Sequence, residues 1–508
     1  MGSRGVVRFP NGDAAPIACR PRRRSVGASM NARFPRAALV GLLAASLAAG
    51  CGSTTPITPT PPGTPASSLA ANPSVAANAG PTATATPTAS ARPAWHPYAP
   101  AGYVGTLLVG SDGTIYLTTS SSTTGSTVVE LDSTGTPKAG WPYAVADKNI
   151  WGLYLGPDGT VYVVTGSGDN TGMASHLFAL DANGQVKSGW PIALKSAPFA
   201  LVFGSDDTIY FSGTSDTDSN LYAVDATGKV KTGWPVRLPG YGQNLVLGAD
   251  GTVYIAASTI FAASIASRVY AYGADGKLRP GWPPPRTDLQ SPILAPDGTL
   301  YVAASRTVAA YEPNGTTRPT WHGVTLPGAA VGQIVVALDG TIYVETFGGP
   351  TGLAQLLALG PTGALKSGWH PYSIPRGTYW YPPVIGPTGV LYVTEQLTKG
   401  NTGVPGPTIA LGPDGRPLAS WPKKLVDTRG GPPTIAPDGT VYVVSGTTIS
   451  TFGPDGTPKS GWPYRLPGTY LYARVTVGPD GTVYVSGGAK SGSIVVALTP
   501  AGTPVGSP

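Results

Sequence analysis

Cysteine and charged residues are both scarce in this chain of 508 residues. Only Cys19 and Cys51 are present, and charged residues make up 12% of the sequence, about half of the usual ~25%. With four histidines and no cysteine after Cys51, the chain has few ligands for a transition-metal site. The folded part is therefore expected to be held together by burial of apolar surface, without disulfides.

The excess of positive charge is confined to the beginning of the chain. The formal net charge is +7, and residues 1–50 carry eight of the 33 basic residues but one of the 26 acidic residues. The remainder has 25 of each and is neutral. A neutral body offers no basic stripe that could follow a phosphate backbone, so nucleic-acid binding is not predicted.

Export is indicated by residues 30–50, which have the layout of a signal peptide. Arg33 and Arg36 precede an apolar run of 13 residues, which is too short to span a bilayer. The run ends in Leu47-Ala-Ala-Gly-Cys51 and resembles the bacterial lipobox, although Ala48 departs from that pattern. The resemblance implies an extracytoplasmic lipoprotein anchored through Cys51, whereas cleavage without lipidation is the alternative. Residues 1–29 are interpreted as an over-long start or an extended n-region.

A linker is predicted over residues 51–94. It consists almost entirely of Ser, Thr, Pro, Ala and Gly. Such a segment cannot bury enough apolar surface to offset its ordering entropy, so a disordered, partly polyproline tether is expected. The folded body is predicted to cover residues 95–508.

Glycine and proline are abundant, at 70 and 54 residues. Many belong to a stretch that occurs nine times and reads Gly478-Pro-Asp-Gly-Thr-Val-Tyr-Val485 in its last copy. The other copies begin at Gly110, Gly156, Gly204, Gly248, Ala295, Ala337, Gly386 and Ala436. A period of 42 to 50 residues indicates a repeat protein.

Each repeat predicts four short strands. Apolar and β-branched residues alternate on either side of the Pro-Asp-Gly turn, and a second tight turn follows after a variable loop. Helical periodicity is not seen after residue 94. The sequence therefore predicts an all-β fold, a single β-propeller of about nine four-stranded blades. Eight blades plus an accessory unit is the alternative.

Tryptophan recurs once per repeat, at Trp95, Trp141, Trp190, Trp234, Trp282, Trp321, Trp369, Trp421 and Trp462. These residues are predicted to be structural and to pack between neighbouring blades. The ninth repeat lacks its tryptophan, so the N-terminal strand with Trp95 is expected to complete the last blade and close the ring. His96, His322 and His370 each follow a repeat tryptophan and are also expected to pack, whereas His176 stands alone.

Two propeller families share parts of this repeat. The spacing of Leu180-Asp-Ala-Asn-Gly-Gln-Val-Lys-Ser-Gly-Trp190 resembles the PQQ-like (quinoprotein-type) repeat, and Gly-Trp-Pro followed by an Asp-Gly turn resembles the integrin-type FG-GAP repeat. The resemblance covers residues 95–508 and implies the fold. The vicinal disulfide of quinoprotein dehydrogenases is missing, so their activity is not expected. The turn position supplies one aspartate per repeat, replaced once by Thr388, whereas the FG-GAP resemblance implies calcium loops with several carboxylates. The turn aspartates are therefore expected to form turns.

A working face is predicted from the distribution of variation. The turns between strands 1 and 2 and between strands 3 and 4 share one end of the ring, here called the uniform face. The loops between strands 2 and 3 and the crossings between blades share the other end, the variable face, where binding is expected. The long variable loops are residues 166–175, 212–220, 258–267, 348–354 and 396–406.

Candidate ligands for this face are aromatic and acidic side chains. The aromatic candidates, which can stack on a flat ligand or instead fill the core, are Trp151, Tyr241, Tyr379, Trp380, Tyr381, Tyr470 and Tyr472. A calcium site is the hypothesis for Asp169, Asn170, Asp216 and Asp218, with solvated loop polarity as the alternative. No organic cofactor and no catalytic residue are predicted.

The function predicted from these patterns is that of a non-catalytic, exported binding or scaffold module, a monomer whose partner is a protein or a glycan at the cell envelope. One alternative is an enzyme that acts on a small metabolite or glycan at the channel mouth. The other is an assembly factor, similar to the PQQ-like lipoprotein that helps to insert outer-membrane proteins.

Overall fold

The computed structural model describes residues 93–506, with gaps at the following positions: 101, 122–124, 146, 148, 167–174, 195–197, 199–200, 215–218, 262–263, 283, 285–288, 324, 328–329, 348–353, 375–377, 400–401, 420, 422–431, 468–471 and 490–491. All regular elements among the described residues are β-strands. No helix in this part of the chain is long and apolar enough to cross a membrane.

The strands form nine antiparallel sheets, one for each sequence repeat. Blade 1 contains β1 (Tyr103–Val109), β2 (Ile115–Ser121), β3 (Gly125–Leu131) and β4 (Tyr143–Ala144); blade 2 contains β5 (Asn149–Leu155), β6 (Val161–Gly166), β7 (Ser175–Leu180) and β8 (Ile192–Leu194); blade 3 contains β9 (Leu201–Phe203), β10 (Ile209–Thr214), β11 (Ser219–Val224) and β12 (Val236–Leu238); blade 4 contains β13 (Tyr241–Leu247), β14 (Val253–Phe261) and β15 (Ser264–Tyr272); blade 5 contains β16 (Leu289–Leu294), β17 (Leu300–Ala304) and β18 (Thr307–Tyr311).

The second half of the ring repeats the same plan. Blade 6 contains β19 (Ala330–Val336), β20 (Ile342–Phe347), β21 (Ala354–Leu359) and β22 (Tyr372–Ile374); blade 7 contains β23 (Thr378–Trp380), β24 (Val384–Ile385), β25 (Leu391–Lys399) and β26 (Thr402–Leu411); blade 8 contains β27 (Thr434–Ile435), β28 (Val441–Ser445), β29 (Thr448–Phe452) and β30 (Tyr464–Arg465); blade 9 contains β31 (Tyr472–Val477), β32 (Val483–Ala489) and β33 (Gly492–Leu498). In blade 7, β23 and β24 are two halves of one first strand.

The first strand of each blade lies nearest the axis of the ring. First strands of successive blades contact one another, as β1 does with β5 and β31, and β13 does with β9 and β16. The later strands follow in chain order toward the outside. The prediction of a nine-bladed propeller of four-stranded antiparallel sheets is thus confirmed.

Two of the predicted variable loops are instead β-hairpins. In blade 4, β14 and β15 remain paired from Val253 to Phe261, so residues 258–267 form the end of a hairpin. In blade 7, β25 and β26 pair as far as Lys399 and Thr402, through residues 396–406. In these two segments the alternation of apolar and polar residues and the turn signals are too weak to predict strands from the sequence. The conformation is determined by backbone pairing between the two strands.

Both ends of the described chain build the last blade. Tyr98 exchanges two backbone hydrogen bonds with Val495 of β33, at 3.0 and 2.8 Å, and Trp95 donates its backbone N–H to Val505 at 3.1 Å. The Trp95 side chain is buried in a cluster that includes Tyr484 of blade 9 and Ile115 of blade 1. The N-terminal strand therefore closes the ring, as the position of Trp95 predicted.

The repeat tryptophans fill the seams between blades. Trp141 at the end of blade 1 packs edge-on against Tyr116 of its own blade, with ring centroids 6.2 Å apart, and lies in one cluster with Val161 and Val163 of blade 2. Glycines permit this close approach: a Cβ on Gly140, whose φ is 87°, would lie 2.1 Å from the carbonyl oxygen of Asn183. Eight of these tryptophans are buried and Trp462 is half-buried.

A hydrogen bond across the seam is preserved although its donor changes. The tryptophan precedes proline in six repeats, and in one of these Trp421 donates its indole Nε1 to Thr408 of its own blade at 2.7 Å. In the others the indole Nε1 donates to a carbonyl in the turn of the next blade. Five tryptophans do so, Trp141, Trp190, Trp234, Trp282 and Trp462, at 3.0 to 3.4 Å. Proline lacks an N–H, but histidine has one, and where His follows the tryptophan its backbone N–H donates to that turn at 2.7 to 2.9 Å, from His96, His322 and His370.

The prediction that these three histidines pack is therefore wrong for their side chains, which are exposed. In these three repeats the histidine contributes its backbone N–H to the seam. Their common place after the tryptophan could not distinguish a buried ring from a backbone donor, because both recur once per repeat.

Aspartates of the uniform face are used by their own turns. In blade 2, Asp158 accepts hydrogen bonds from the backbone N–H of Thr160 at 3.0 Å and from its hydroxyl at 2.7 Å. The same pairing of Asp with Thr two residues later recurs in other blades, for example at Asp112 and Asp438. These carboxylates form turns, as the sequence predicted.

A basic residue three positions before the tryptophan joins most of these turns. Lys231 lies 2.9 Å from Asp206, Arg318 lies 2.8 Å from Asp297, and Lys366 lies 3.4 Å from Asp339. The Lys231 ammonium and the Thr208 hydroxyl lower the pKa of Asp206 to about 2. In blade 7 both partners are replaced together, by Thr388 and Leu418.

We expect the turn hydrogen bonds of Asp158 to contribute more stability than its ion pair with Lys187. Asp158→Ala should cost about 1 kcal/mol, Asp158→Asn should cost less because it retains the acceptor for the Thr160 N–H, and Lys187→Met should cost about 0–1 kcal/mol because the pair is solvated. Urea midpoints followed by circular dichroism measure this order. Equal losses from Lys187→Met and Asp158→Ala would make the ion pair the dominant interaction.

Candidate functional site

A histidine–carboxylate pair lies at the variable face, in the seam between blades 1 and 2. His176, near the start of β7, places Nδ1 2.8 Å from Oδ2 of Asp147, which belongs to the crossing between the two blades. Thr165, at the end of β6, donates its hydroxyl to the same carboxylate oxygen. His176 and Thr165 are directly opposite each other in the β6–β7 pairing, so both side chains lie on the side of blade 2 that faces blade 1.

Two aromatic side chains, Phe178 and Tyr143, lie next to this pair. Phe178, two residues after His176, is buried, with ring centroids 5.9 Å apart. Tyr143 of β4 packs on Phe178 at 6.1 Å and is half-buried. Burial raises the pKa of Tyr143, and the negative charge of Asp147 raises it further. We call Tyr143, Asp147, Thr165, His176 and Phe178 the seam cluster.

The seam cluster has unused hydrogen-bonding capacity. The side chain of His176 is 31% exposed and that of Asp147 is 15% exposed. Among the residues that the structure describes, Nε2 of His176 and Oδ1 of Asp147 have no hydrogen-bond partner. The cluster is therefore a partly solvent-accessible site in which Nε2 of His176 and Oδ1 of Asp147 can take further hydrogen bonds, next to the aromatic rings of Tyr143 and Phe178.

Sequence reasoning missed this site because its members are far apart in the chain. Asp147 and His176 are separated by 29 residues and belong to different repeats. His176 is the one histidine that does not follow a repeat tryptophan, and the crossing brings Asp147 to it. A carboxylate just before a first strand does not single out this crossing, because Asp288 directly precedes β16 in the same way.

Trp151 lies on the opposite side of blade 2 from the seam cluster. It occupies a β-bulge in β5, between Ile150 and Gly152. Its indole covers Gly166, where a Cβ would lie 2.3 Å from the ring, and it packs against the cluster between blades 2 and 3. Trp151 is half-buried, so an edge of the ring is accessible at the variable face while the rest supports the core.

Two of the other aromatic candidates have described side chains, Tyr241 in blade 4 and Tyr381 in blade 7, and neither belongs to the contact cluster of Trp151. Tyr241 is half-buried at the start of β13. Tyr381 is half-buried between β23 and β24, where burial raises its pKa and its N–H donates to Thr394 at 3.1 Å. Tyr379, Trp380 and Tyr472 are described by their backbones, in β23 and β31.

The remaining predicted site residues lie outside the described part of the chain. These are Cys51, Asp169, Asn170, Asp216, Asp218 and Tyr470. Over the described ranges, no group of three or more His, Cys, Asp or Glu side chains could hold a metal ion. The calcium site therefore stays a prediction.

A second unusual acid is buried in blade 6. Glu345 in β20 is 1% exposed, and its Oε1 has no hydrogen-bond partner. Its Oε2 accepts a long hydrogen bond, 3.4 Å, from the backbone N–H of Gln333, next to the bulge in β19. Burial raises the pKa of Glu345 to about 8.

No protein-family model and no curated protein matches the chain. Solved structures with a similar fold include the Dos1 propeller, at 10% identity and a TM-score of 0.43 over 80% of this chain and 95% of that one. A structure of the eukaryotic initiation factor has 12% identity and a TM-score of 0.48 and covers 74% of this chain and 91% of that one. Virginiamycin B lyase from Staphylococcus aureus has 12% identity and a TM-score of 0.35 and covers 59% of this chain and 94% of that one.

Its own strand topology makes this chain a β-propeller protein built from nine sequence repeats. A propeller is a rigid scaffold that suits binding and assembly roles as well as catalysis. The fold therefore does not determine the function, which depends on the side chains of the uniform and variable faces.

Proposed function

We propose that this protein is a binding module that recognises its ligand or partner with the variable face of the propeller. The observation that carries the proposal is the contrast in how the two faces use their polar groups. On the uniform face the polar side chains hydrogen-bond within their own turns, whereas on the variable face the acceptors of the seam cluster remain accessible to solvent.

The uniform face is nearly the same in every blade. Its aspartates accept hydrogen bonds from the turn threonines, and several also pair with the basic residue before the tryptophan. Groups that are paired in this way have little to gain from a ligand, because binding would exchange one partner for another. A repeated, self-satisfied surface also gives no blade a distinct specificity.

The variable face differs from blade to blade. The seam cluster lies between blades 1 and 2, blade 2 also carries the half-buried Trp151, and blades 4 and 7 carry long hairpins. Loops and hairpin ends of different shape on a rigid ring are the usual location of recognition. We extend the proposal to Trp151, Tyr241, Tyr379, Trp380, Tyr381, Tyr470 and Tyr472 as contributors to this surface.

The cellular setting is part of the proposal. The signal-like segment and the lipobox-like end at Cys51 support export and anchoring as a PQQ-like repeat lipoprotein. The partner is then a protein or a glycan of the cell envelope. An assembly role for membrane proteins fits the same face and the same location.

An enzymatic role is the second candidate, because a carboxylate that orients an imidazole is also the arrangement of a general base. The structure gives one reason to rank it below binding. The Thr165 hydroxyl donates to Asp147 and to the backbone carbonyl of His176, and not to the imidazole, so the described cluster presents no nucleophile to the imidazole.

Blocking each face in turn tests the proposal. In a Cys19→Ser, Cys51→Ser background, single cysteines replace Tyr103 or Arg465 at the variable face, and Leu338, which is 92% exposed, at the uniform face. After labelling with a 5-kDa polyethylene glycol maleimide, we expect the variable-face conjugates to lose at least tenfold in affinity for ligands found on a glycan array or in an envelope pull-down.

The Leu338→Cys conjugate is the matched control and should bind within twofold of the unlabelled protein. The opposite pattern, with binding lost on the uniform face and kept on the variable face, would overturn the proposal.

A further inference from the structure

The seam cluster places the hydrogen-bonding groups of His176 in a fixed order. Asp147 is held by the Thr165 hydroxyl, and its Oδ2 lies 2.8 Å from Nδ1 of His176. A carboxylate accepts hydrogen bonds, so Nδ1 is the nitrogen that carries the proton in the neutral ring. The lone pair of the neutral imidazole is therefore on Nε2, which faces away from the carboxylate.

Asp147 differs from the turn aspartates in its charge environment. Those carboxylates are commonly accompanied by Lys or Arg, as Asp206 is by Lys231. Within the described chain, the carboxylate of Asp147 contacts the imidazole of His176 in place of a Lys or Arg side chain. With a neutral imidazole, the site presents one carboxylate and one nitrogen lone pair, both of them acceptors.

A ligand that satisfies this site must supply hydrogen-bond donors. Hydroxyl groups suit it, because each can donate to Nε2 or to Oδ1 while its oxygen accepts from water. The half-buried ring of Tyr143 adds a surface on which an apolar C–H face can pack. Anionic ligands are disfavoured by the charge of Asp147, since like charges repel.

We propose that the seam cluster is a carbohydrate-binding subsite. In this arrangement a sugar hydroxyl donates to Nε2 of His176, a neighbouring hydroxyl donates to Asp147, and the C–H face of the sugar packs against Tyr143. Thr165 is a positioning residue that holds the carboxylate. The inference deepens the proposed function, because it names the ligand class of one part of the variable face.

The test uses full-length protein and five neutral probes, namely cellohexaose, xylohexaose, mannohexaose, chitohexaose and maltohexaose. Isothermal titration calorimetry should show binding of at least one of them. His176→Ala and Asp147→Asn should each weaken that binding at least tenfold, and Thr165→Val should weaken it three- to tenfold. His322→Ala, which removes an exposed histidine on the uniform face, is the matched control and should stay within twofold.

A measurement on the wild-type protein covers the case in which a variant fails to fold. In ¹⁵N-histidine-labelled protein, the bound probe should shift the Nε2 signal of His176 and leave the His322 signal in place. Three results would contradict a carbohydrate-binding subsite. These are that none of the five probes binds, that His176→Ala binds within twofold of wild type, or that hexalysine shifts the His176 signal and no sugar does. If no sugar binds but labelling of the variable face still abolishes binding, the proposed function stands and only the carbohydrate subsite is contradicted.

Discussion

Glu345→Gln is expected to stabilise the protein at alkaline pH by several kcal/mol. The native pKa of Glu345 is about 8 because the side chain is buried, against 4.5 for the ordinary carboxyl. Between these values the unfolded chain has released the proton and the native protein has kept it, so native stability falls as the pH rises. Over that window the loss amounts to about 5 kcal/mol, and above pH 8 it stays constant.

The measurement is the free energy of unfolding by urea from pH 4 to 9. Wild type should lose stability between pH 4.5 and 8, and Glu345→Gln should lack this contribution and exceed wild type at pH 9. The acid-side loss lies below this range, since the lowered pKa of Asp206 gives stability that disappears only as the pH falls from 3.8 through about 2.

Glu130→Gln is the matched control for this prediction. Glu130 is as deeply buried as Glu345, at 1% exposure, but it is paired with Lys138. Because the Lys138 side chain is 41% exposed, its ammonium stays solvated when the carboxylate is removed, so this variant should lack the alkaline gain and stay within about 1 kcal/mol of wild type at pH 9. A Glu345→Gln variant with the pH dependence of wild type would mean that water reaches the carboxyl and that its pKa is ordinary.

Trp95→Ala is expected to cost about 3–5 kcal/mol, the usual loss for a large buried aromatic side chain. Trp95 is 8% exposed and packs 5.7 Å from Tyr484 in the last seam of the ring. The residue belongs to the strand that closes the propeller, so the loss falls on the contact between blades 9 and 1. Urea unfolding followed by far-UV circular dichroism measures it.

His96→Ala is the control, since its side chain is exposed and its backbone N–H, which donates to Thr134 at 2.7 Å, remains. It should change stability by less than about 0.5 kcal/mol. Removal of residues 1–98 should be more damaging than Trp95→Ala, and removal of residues 1–92 should be neutral. A stable, cooperative protein without residues 93–98 would show that the ring closes by other contacts.

The fold was predictable because its determinants are local and repeated. A Pro-Asp-Gly turn, a Thr-Val-Tyr strand and a Gly-Trp pair carry their meaning within a few residues, and nine copies raise a weak pattern to a clear one. The closing strand could be predicted from a count, since nine turns required nine tryptophans and one stood before the first repeat. Hairpin extensions in blades 4 and 7 lacked such repetition.

The seam cluster was not predictable for the opposite reason. Asp147, Thr165 and His176 meet through a crossing between blades, and no spacing in the chain encodes that contact. Glu345 could have been noticed, because the equivalent positions in other blades hold small or apolar residues such as Val164, Ala256 and Val444. An alignment of the repeats to one another shows this departure, but burial and its effect on the pKa of the acid require the structure.

The closing strand also fixes a polarity. A fourth strand runs from the uniform face to the variable face, and residues 93–96 enter it beside the turn that contains Thr134. Whatever precedes residue 93 is consequently attached at the uniform end, on the outer edge of the ring. A carrier or surface coupled before residue 93 would therefore join the ring on the side opposite to the seam cluster and leave the variable face unobstructed.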